Sequence, residues 1–176
     1  KKDAITTTIQ IAKHNWIVTT DADCILPKYW LDTLDEFIQT KNTVAIAGPV
    51  KFSGLSSFFN RFQIIDTLSL QGATIGGFGI KKPFMCNGAN FAYKKSAFVA
   101  VDGFKGNDSS ASGDDVFLLQ KLVKAYKEKV HFLKSEKAIV STKVSENLSD
   151  YIQQRLRWAS KSSQYTLWFP KLLGLS

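Results

Sequence analysis

The sequence predicts an α/β protein with a mixed, mainly parallel β-sheet that is flanked by helices. Three consecutive stretches predict this fold class. Residues 17–20 are mostly β-branched, as in a buried strand, and residues 27–39 carry apolar side chains at helical spacing after a proline. Residues 43–52 contain a second apolar run that is interrupted at Gly48 and Pro49. A strand, a helix and a strand in this order predict a parallel strand pair with a right-handed crossover.

The other predicted elements follow from the same spacing rules. Helices are predicted where apolar residues recur every three or four positions, namely residues 3–13, 55–71, 96–101, 114–127 and 148–162. Short strands are predicted at residues 91–93, 129–133 and 138–141. We expect the 55–71 helix to turn one apolar stripe toward the core: Phe58, Phe62, Ile65 and Leu68. The glycine-rich stretch 72–83 is expected to be irregular, and the polar stretch 105–113 to be a mobile loop.

Composition and charge limit the classes of partner. The 176 residues suffice for one domain with a sizeable core, and the hydrophobic fraction of 44% is ordinary for a globular protein. Residues 1–120 carry 12 Lys/Arg against 11 Asp/Glu, whereas residues 121–176 carry 11 against 4, a balance of +7. A basic end of this kind suits anionic lipid or a phosphorylated substrate. Nucleic acid is not an expected partner, because no ribonucleoprotein motif, zinc finger or helix-turn-helix signature accompanies the charge.

Two aspartates, Asp21 and Asp23, come directly after the first predicted strand. At extended spacing their side chains lean to the same side, and two carboxylates that close repel each other unless a cation lies between them. Carboxylates at the end of a buried strand point into the crevice where open α/β sheets bind ligands. The pattern therefore predicts a divalent metal, Mg²⁺ or Mn²⁺, held against a phosphorylated ligand.

Other proteins share an Asp-x-Asp pattern. A calcium-binding EF-hand loop needs an acidic or amide residue at its fifth position and glycine at its sixth, where this chain has Ile25 and Leu26. An aspartyl-phosphate phosphatase begins its domain with the motif, whereas a predicted helix precedes it here. The remaining alternative is that both aspartates cap the helix that follows Pro27.

A second acidic point lies at Asp114 and Asp115, where a helix is predicted to begin. Asp114 is the expected N-cap of this helix, so Asp115 is free for another role. The helix dipole favours the ionised form of Asp115, which is the form that accepts a proton. A carboxylate there can act as general base toward an attacking hydroxyl.

Gln154, Arg157 and Trp158 form a third point, because their spacing puts them on one face of the last predicted helix. An amide, a guanidinium and an indole make a poor core stripe. They suit a phosphate clamp beside a platform on which a sugar ring can stack. The alternative is an exposed arginine over a half-buried tryptophan, an ordinary cation–π pair.

Isolated histidines and cysteines add no further site. His14 and His131 are predicted to be structural, and Cys24 and Cys86 to be small buried residues of a protein from a reducing compartment. No apolar run reaches the length of about 18 residues that a membrane span requires. The chain begins with Lys1 rather than methionine, so we expect it to be a soluble piece of something longer.

Taken in chain order, these motifs resemble the membrane-associated, polysaccharide-synthase type of family 2 glycosyltransferase. Residues 20–23 (Thr-Asp-Ala-Asp) match that family's metal motif, and residues 87–104 match its acceptor-side segment. Residues 113–115 (Gly-Asp-Asp) stand where the family has Glu-Asp, and residues 154–158 (Gln-Arg-Leu-Arg-Trp) fit Gln-x-x-Arg-Trp. Each block is modest, but their common order over most of the chain is specific.

The resemblance implies a GT-A fold and inverting transfer of a hexosyl unit from a nucleotide sugar, with a UDP-sugar as the expected donor. It assigns the ribose-diphosphate end of the donor and the metal, Mg²⁺ or Mn²⁺, to Asp21 and Asp23. It assigns the pyrophosphate to Gln154 and Arg157. These assignments agree with the residue chemistry, since a metal and an arginine both stabilise a diphosphate leaving group.

On the acceptor side, the resemblance makes Asp115 the catalytic base and Trp158 the platform for the acceptor sugar, in a glycan or a lipid-linked acceptor. A list of further substrate contacts comes with it: Gly88, Asn90 and Asp114. Inversion in a single displacement needs one base and no enzymic nucleophile. The sequence offers no convincing nucleophile.

The same resemblance sets expectations for the chain as a whole. Residues 1–176 are expected to be one partial catalytic domain whose sheet lacks its first strands: a metal-motif half (1–52), an acceptor and base half (53–163) and a membrane-proximal segment (164–176). A sheet with an unpaired edge is expected to self-associate. The intact protein is expected at the cytoplasmic face of a cell membrane, namely a bacterial inner membrane.

Two other classes of function stay open on sequence grounds. One is a non-catalytic module that binds a sugar or a nucleotide sugar, because the family's opening strands do not precede Lys1. The other is a basic scaffold on a lipid surface or nucleic acid, which the +7 charge of residues 121–176 suggests. Donor binding with and without metal separates the scaffold from the other two, and turnover separates the enzyme from the module.

Overall fold

The structure is a computed structural model and describes residues 2–54, 57–107 and 113–159. The described residues contain the α-helices α1 Lys2–Ile11, α2 Trp30–Thr40, α3 Phe58–Gly79, α4 Lys95–Ala100, α5 Asp114–Tyr126 and α6 Leu148–Ala159. The strands are β1 Trp16–Thr19, β2 Ala45–Ala47, β3 Val50–Ser53, β4 Phe91–Lys94, β5 Val130–Phe132 and β6 Val140–Lys143. Short 3₁₀ turns lie at Gly88–Asn90, Lys127–Lys129 and Glu136–Ala138.

The main sheet has the strand order β1-β4-β2-β5, and β3 pairs with β6 in a separate two-stranded sheet. β4 is antiparallel to both β1 and β2, whereas the β2–β5 and β3–β6 pairs are parallel. The predicted mixed α/β sheet is therefore confirmed. The predicted direct pairing of the first two strands is wrong, because β4 inserts between them, and a later strand of this kind is invisible to local sequence order.

Helices cover both faces of the main sheet, as the alternation of side chains along the strands requires. Phe91 and Tyr93 of β4 lie in one buried cluster, with residues of α1, α4 and α5. Ala92, between them in sequence, lies in the other cluster with Trp30 and Leu34 of α2. This two-sided burial fixes the strand register, since a shift of one residue would exchange the two faces.

Helix α3 departs from the prediction in two ways. It continues through the glycine-rich stretch to Gly79, which was expected to be irregular. Its predicted inward stripe faces solvent instead: Phe58 is 88% exposed and Ile65 is 67% exposed, and Phe62 and Leu68 are exposed with them. The buried side of α3 is polar, with Gln63, Thr67 and Thr74. Apolar periodicity alone cannot tell a stripe that faces the core from one that faces outward.

Helix α5 begins in a different way from the prediction. Gly113 is its N-cap, with φ 90° and ψ 14°, and Asp114 is already the first helical residue. A positive φ of this size suits glycine, which lacks the Cβ that strains other residues there. Four predicted features extend beyond the described residues: the start of the 55–71 helix, residues 108–112 of the polar loop, the end of the last helix at residue 162 and the membrane-proximal segment 164–176.

Candidate functional site

A cavity of about 730 Å³ gathers most of the predicted site residues. Its lining includes eight of the predicted residues: Asp21, Asp23, Gly88, Asp114, Asp115, Gln154, Arg157 and Trp158. We call the side formed by Thr19, Gly88 and Asp115 the sheet wall. The side formed by α3 and α6, with Asp66, Thr67, Gln71, Arg155 and Trp158, is the helical wall. Pockets of this size are typical of small-molecule sites.

The Asp-x-Asp loop is attached to β6. Ile25 and Ser141 exchange backbone hydrogen bonds of 2.7 and 3.0 Å. The Thr142 hydroxyl donates to Asp23 Oδ2 at 3.2 Å, and the Cys24 N–H donates to the Asp21 carbonyl at 3.2 Å to close the turn. These bonds hold the Asp-x-Asp turn and both of its carboxylates at the cavity.

The two carboxylates suit a hard divalent cation. Among the described residues, no group of three or more His, Cys, Asp or Glu side chains gathers around one point. Mg²⁺ in proteins is often bound by one or two carboxylates, with water and phosphate oxygens as its other ligands. Burial raises the pKa of the half-buried Cys24 thiol, and the charges of Asp23 and Asp21 raise it further.

Asp115 is held against the Gly88–Asn90 turn. Its Oδ2 accepts a hydrogen bond of 2.8 Å from the Gly88 N–H, and its Oδ1 accepts one of 2.9 Å from the Val116 N–H. A Cβ atom on Gly88 would lie 3.2 Å from Asp115 Oδ2. The Thr19 hydroxyl at the end of β1 donates to the Gly88 carbonyl at 2.8 Å. The sheet wall thus fixes the carboxylate between a strand end and a helix start.

Asp114 has a structural set of partners. It is 8% exposed, its Oδ1 accepts from Asn107 Nδ2 at 3.1 Å, and the same oxygen lies 3.7 Å from Lys2 Nζ. Lys2 also donates to the Asn107 carbonyl. Asp114 lines the cavity but is tied to α1 and the segment before α5, so the predicted capping role is wrong.

Asn90 lies beneath the cavity and does not line it. Its Nδ2 donates to the carbonyls of Pro49 and Ala138, both at 2.8 Å, and its Oδ1 accepts from Trp30 Nε1 at 3.0 Å. A Cβ on the neighbouring Gly48 would come within 2.4 Å of this amide. These bonds use both amide hydrogens and one lone pair of the oxygen, and they join three segments of the core; the substrate contact of Asn90 stays a prediction.

Helix α6 is fastened to α3 by a cluster that sequence reasoning missed. Arg155 forms an ion pair with Asp66, and the Tyr151 hydroxyl donates to Asp66 Oδ2 at 2.7 Å. The Arg155 guanidinium lies 5.0 Å from the centre of the Tyr151 ring and 4.4 Å from that of Trp158. Burial and the bond to Asp66 raise the pKa of Tyr151, which keeps its hydroxyl a donor. The sequence feature that could have indicated this cluster is Asp66, which is the one acidic residue in the sequence of α3.

The fold and the cavity agree with a comparison to known families. Residues 16–175 match the family described as "Glycosyl transferase family group 2", and the chain belongs to this family. No curated protein matches the chain.

Two solved structures share the fold. One is glucosyl-3-phosphoglycerate synthase from Mycobacterium tuberculosis in complex with Mn²⁺, UDP-glucose and phosphoglyceric acid, with a TM-score of 0.52 and 13% identity over 95% of this chain and 55% of that one. The other is described as a mycobacterial protein, with a TM-score of 0.51 and 13% identity over 95% of this chain and 52% of that one. This chain spans about half the length of each, and identities this low carry the fold alone.

Proposed function

We propose that this chain is the part of an inverting, metal-dependent hexosyltransferase that holds the metal, the catalytic base and the phosphate clamp. The donor is a nucleotide-diphosphate sugar, with UDP as the nucleotide, and the acceptor is a glycan or a lipid-linked sugar. One observation carries the proposal: Asp21, Asp23, Asp115, Arg157 and Trp158 line the same cavity. Family membership supports sugar transfer, and the similar synthase structure contains Mn²⁺ and UDP-glucose.

On the donor side, Asp21 and Asp23 would hold Mg²⁺ or Mn²⁺ against the diphosphate, with Gln154 and Arg157 at its other oxygens. The metal supplies charge stabilisation to the leaving group. The Arg157 guanidinium can add charge-assisted hydrogen bonds that strengthen as the bond to the sugar breaks. The leaving group is a nucleoside diphosphate.

On the acceptor side, Asp115 takes the proton of the attacking hydroxyl. The acceptor oxygen forms a bond to the anomeric carbon, the bond from that carbon to the diphosphate oxygen breaks, and the proton passes to Asp115. Each oxygen of Asp115 already accepts one backbone hydrogen bond, which fixes the carboxylate and leaves it a lone pair for the proton. Trp158 offers a ring face for the acceptor sugar.

We place the intact protein at the cytoplasmic face of a cell membrane as part of the same proposal. Within the part of the chain that the structure describes, none of the helices combines the length and apolar composition of a membrane crossing. The support is the exposed stripe of α3, in which Phe58, Ile65 and Leu68 are 88%, 67% and 56% exposed. The basic residues 121–176 complement an anionic lipid surface.

The test is a titration of the intact protein with UDP-glucose, with and without Mn²⁺, followed by turnover. We expect binding that requires Mn²⁺ and is abolished by Asp23→Ala. The matched control is Asp35→Ala, which removes an exposed carboxylate of α2 and leaves binding unchanged. Donor affinity that survives Asp23→Ala with its metal dependence intact would refute the metal assignment. Binding without any turnover would favour the non-catalytic module.

A further inference from the structure

Two polar groups on the inner side of α3 have no partner in the described structure. Thr67 is 6% exposed, and its Oγ1 is buried without a hydrogen bond among the described residues. Gln71 Oε1, one helical turn further along, is in the same condition. Both residues line the cavity. A buried polar atom without a partner is destabilising, so such atoms are rare and call for an explanation.

Neighbouring polar groups of α3 show that this helix does satisfy its buried side chains. The Thr74 hydroxyl donates to the Leu70 carbonyl at 2.8 Å. Gln63 bonds the backbone of Ser145 twice, accepting from its N–H at 2.8 Å and donating to its carbonyl at 3.1 Å. The Tyr93 hydroxyl and Gln154 Oε1, which also line the cavity, are likewise buried without a partner among the described residues. The unpaired atoms are therefore a feature of the cavity lining, and on α3 they are Thr67 Oγ1 and Gln71 Oε1.

The charge next to these groups selects the ligand class. Asp66 precedes Thr67 in the chain, and its carboxylate is paired with Arg155. Thr67 and Gln71 themselves offer an alcohol and an amide to the cavity, and the carboxylate next to Thr67 in the chain is neutralised by Arg155; an alcohol and an amide match sugar hydroxyls better than a phosphate or a carboxylate. The same Arg155 lies 4.4 Å from the Trp158 ring centre, and Thr67 and Gln71 share the cavity with this proposed acceptor platform.

Resting on the proposed function, we infer that Thr67 and Gln71 form a hydroxyl-binding subsite for the acceptor sugar. The acceptor is then a neutral sugar at the position next to Trp158. Its hydroxyls supply the partners that the free protein lacks at Thr67 Oγ1 and Gln71 Oε1. Both side chains act in binding, and the chemical step stays with Asp115.

The inference has a signature that a structural role would not produce. Thr67→Val keeps the side-chain shape and removes the unpaired hydroxyl, so the free protein keeps or gains thermal stability. Gln71→Leu likewise removes an unpaired polar group, so the same stability result is expected. Thr74→Val is the matched control on the same helix, because its hydroxyl is already bonded to Leu70. In each variant, sugar binding and thermal stability are measured together.

The experiment uses saturation-transfer NMR on the intact protein with Mn²⁺ and UDP present. The probes are glucose, galactose, mannose and N-acetylglucosamine, and phosphoglyceric acid serves as the anionic contrast. We expect at least one neutral sugar to bind, to be displaced only weakly by phosphoglyceric acid, and to bind roughly fivefold less tightly in Thr67→Val and in Gln71→Leu. UDP affinity and the sugar affinity of Thr74→Val should stay at the wild-type value.

Each contrary result is decisive. If UDP binds but none of the neutral sugars does, the subsite is wrong while the donor half of the proposed function stands. The inference also fails if Thr67→Val loses thermal stability with unchanged sugar affinity, or if Thr74→Val weakens sugar binding equally. If UDP itself does not bind with Mn²⁺, the proposed function fails and the subsite falls with it.

Discussion

The two walls of the cavity are built in opposite ways. The sheet wall packs on buried residues of the strands and of α5, such as Phe91 of β4 and Leu118 of α5, each 1% exposed. The Gly88 N–H of this wall holds Asp115 with a main-chain hydrogen bond. The helical wall is joined mainly through side chains, with the Asp66 and Arg155 side chains 30% and 21% exposed. Its polar side faces the cavity and its apolar side faces outward. Chemistry that needs fixed geometry belongs on the first wall, and adaptable recognition on the second.

The largest effect is expected from the sheet wall itself. Asp115→Asn keeps the size of the side chain and removes its basicity, so turnover should fall by roughly 10²-fold or more with donor affinity nearly intact. Steady-state kinetics of the intact protein at saturating donor measure this. Normal turnover of Asp115→Asn would show that Asp115 of the sheet wall is not the catalytic base.

Asp114→Asn is the control for that prediction. It should keep turnover but lower stability by about 1–2 kcal/mol, because Lys2 loses a charged partner and keeps the Asn107 carbonyl. Thermal melting detects the loss. If Asp114→Asn loses turnover and Asp115→Asn does not, the two carboxylates have exchanged roles.

A smaller effect is expected from a single methyl group on the sheet wall. In Gly88→Ala the new Cβ would meet Asp115 Oδ2 at 3.2 Å and Asp115 Cβ at 3.3 Å, so the carboxylate must move by a few tenths of an ångström. We expect turnover to fall about tenfold, since catalysis is sensitive to small displacements of a positioned base.

Gly76→Ala gives the matching change on α3, where an added methyl group has no described atom within 4 Å. This variant should keep turnover and gain about 0.5–1 kcal/mol of stability, because alanine favours a helix interior. Equal effects of Gly88→Ala and Gly76→Ala on turnover would contradict the difference that we propose between the sheet wall and α3.

The helical wall should respond in binding more than in rate. Asp66→Asn removes the charge opposite Arg155 and keeps an oxygen for the Tyr151 hydroxyl. Because the pair is partly exposed, the stability loss should stay within about 1 kcal/mol. We expect the acceptor KM to rise several-fold with kcat nearly unchanged. An equal fall in kcat would mean that the helical wall takes part in the chemical step.

The smallest effect on the folded domain is expected on the outer side of α3. Leu68→Ser should change stability by no more than about 0.5 kcal/mol, because the side chain is 56% exposed. It should weaken binding to phosphatidylglycerol vesicles roughly threefold if the stripe enters the lipid interface. Val99→Ser on α4, where Val99 is 62% exposed, is the control with unchanged binding.

Sedimentation of the same variants tests the expected self-association. An oligomer that Leu68→Ser dissociates, with vesicle binding unchanged, would assign the α3 stripe to a second copy of the chain. A stable monomer at high concentration would contradict self-association altogether.

Sequence reasoning succeeded where short-range rules decide the outcome. The strand before Asp21, the helix containing Trp30 and Leu34 and the strand at Phe91 all lie close to their predicted bounds, because side-chain spacing encodes them. The strand order did not follow in the same way, since the insertion of β4 depends on residues far along the chain. Motif order identified eight residues of the cavity lining, and it did so through resemblance more than through local physics.

The failures share one cause, which is dependence on a partner in space. The inner side of α3 is polar because a cavity lies there, and nothing in the sequence of residues 58–79 indicates a cavity. The three core partners of Asn90 come from separate segments of the chain, so local sequence could not predict these bonds. The link of Tyr151 to Asp66 spans 85 residues, beyond the reach of any spacing rule.

Strand β6 sets a distance between the Asp-x-Asp loop and helix α3. At Ser141 it is bonded to Ile25 of the Asp-x-Asp loop, and at Ser145, just past its end, it is bonded to Gln63 of α3. With a rise of about 3.3 Å per residue, the four residue steps from Ser141 to Ser145 span about 13 Å. One residue inserted between Ser141 and Ser145 would lengthen this distance by about a quarter and turn every later side chain of the strand to the opposite face. This part of the chain can therefore vary in composition far more readily than in length.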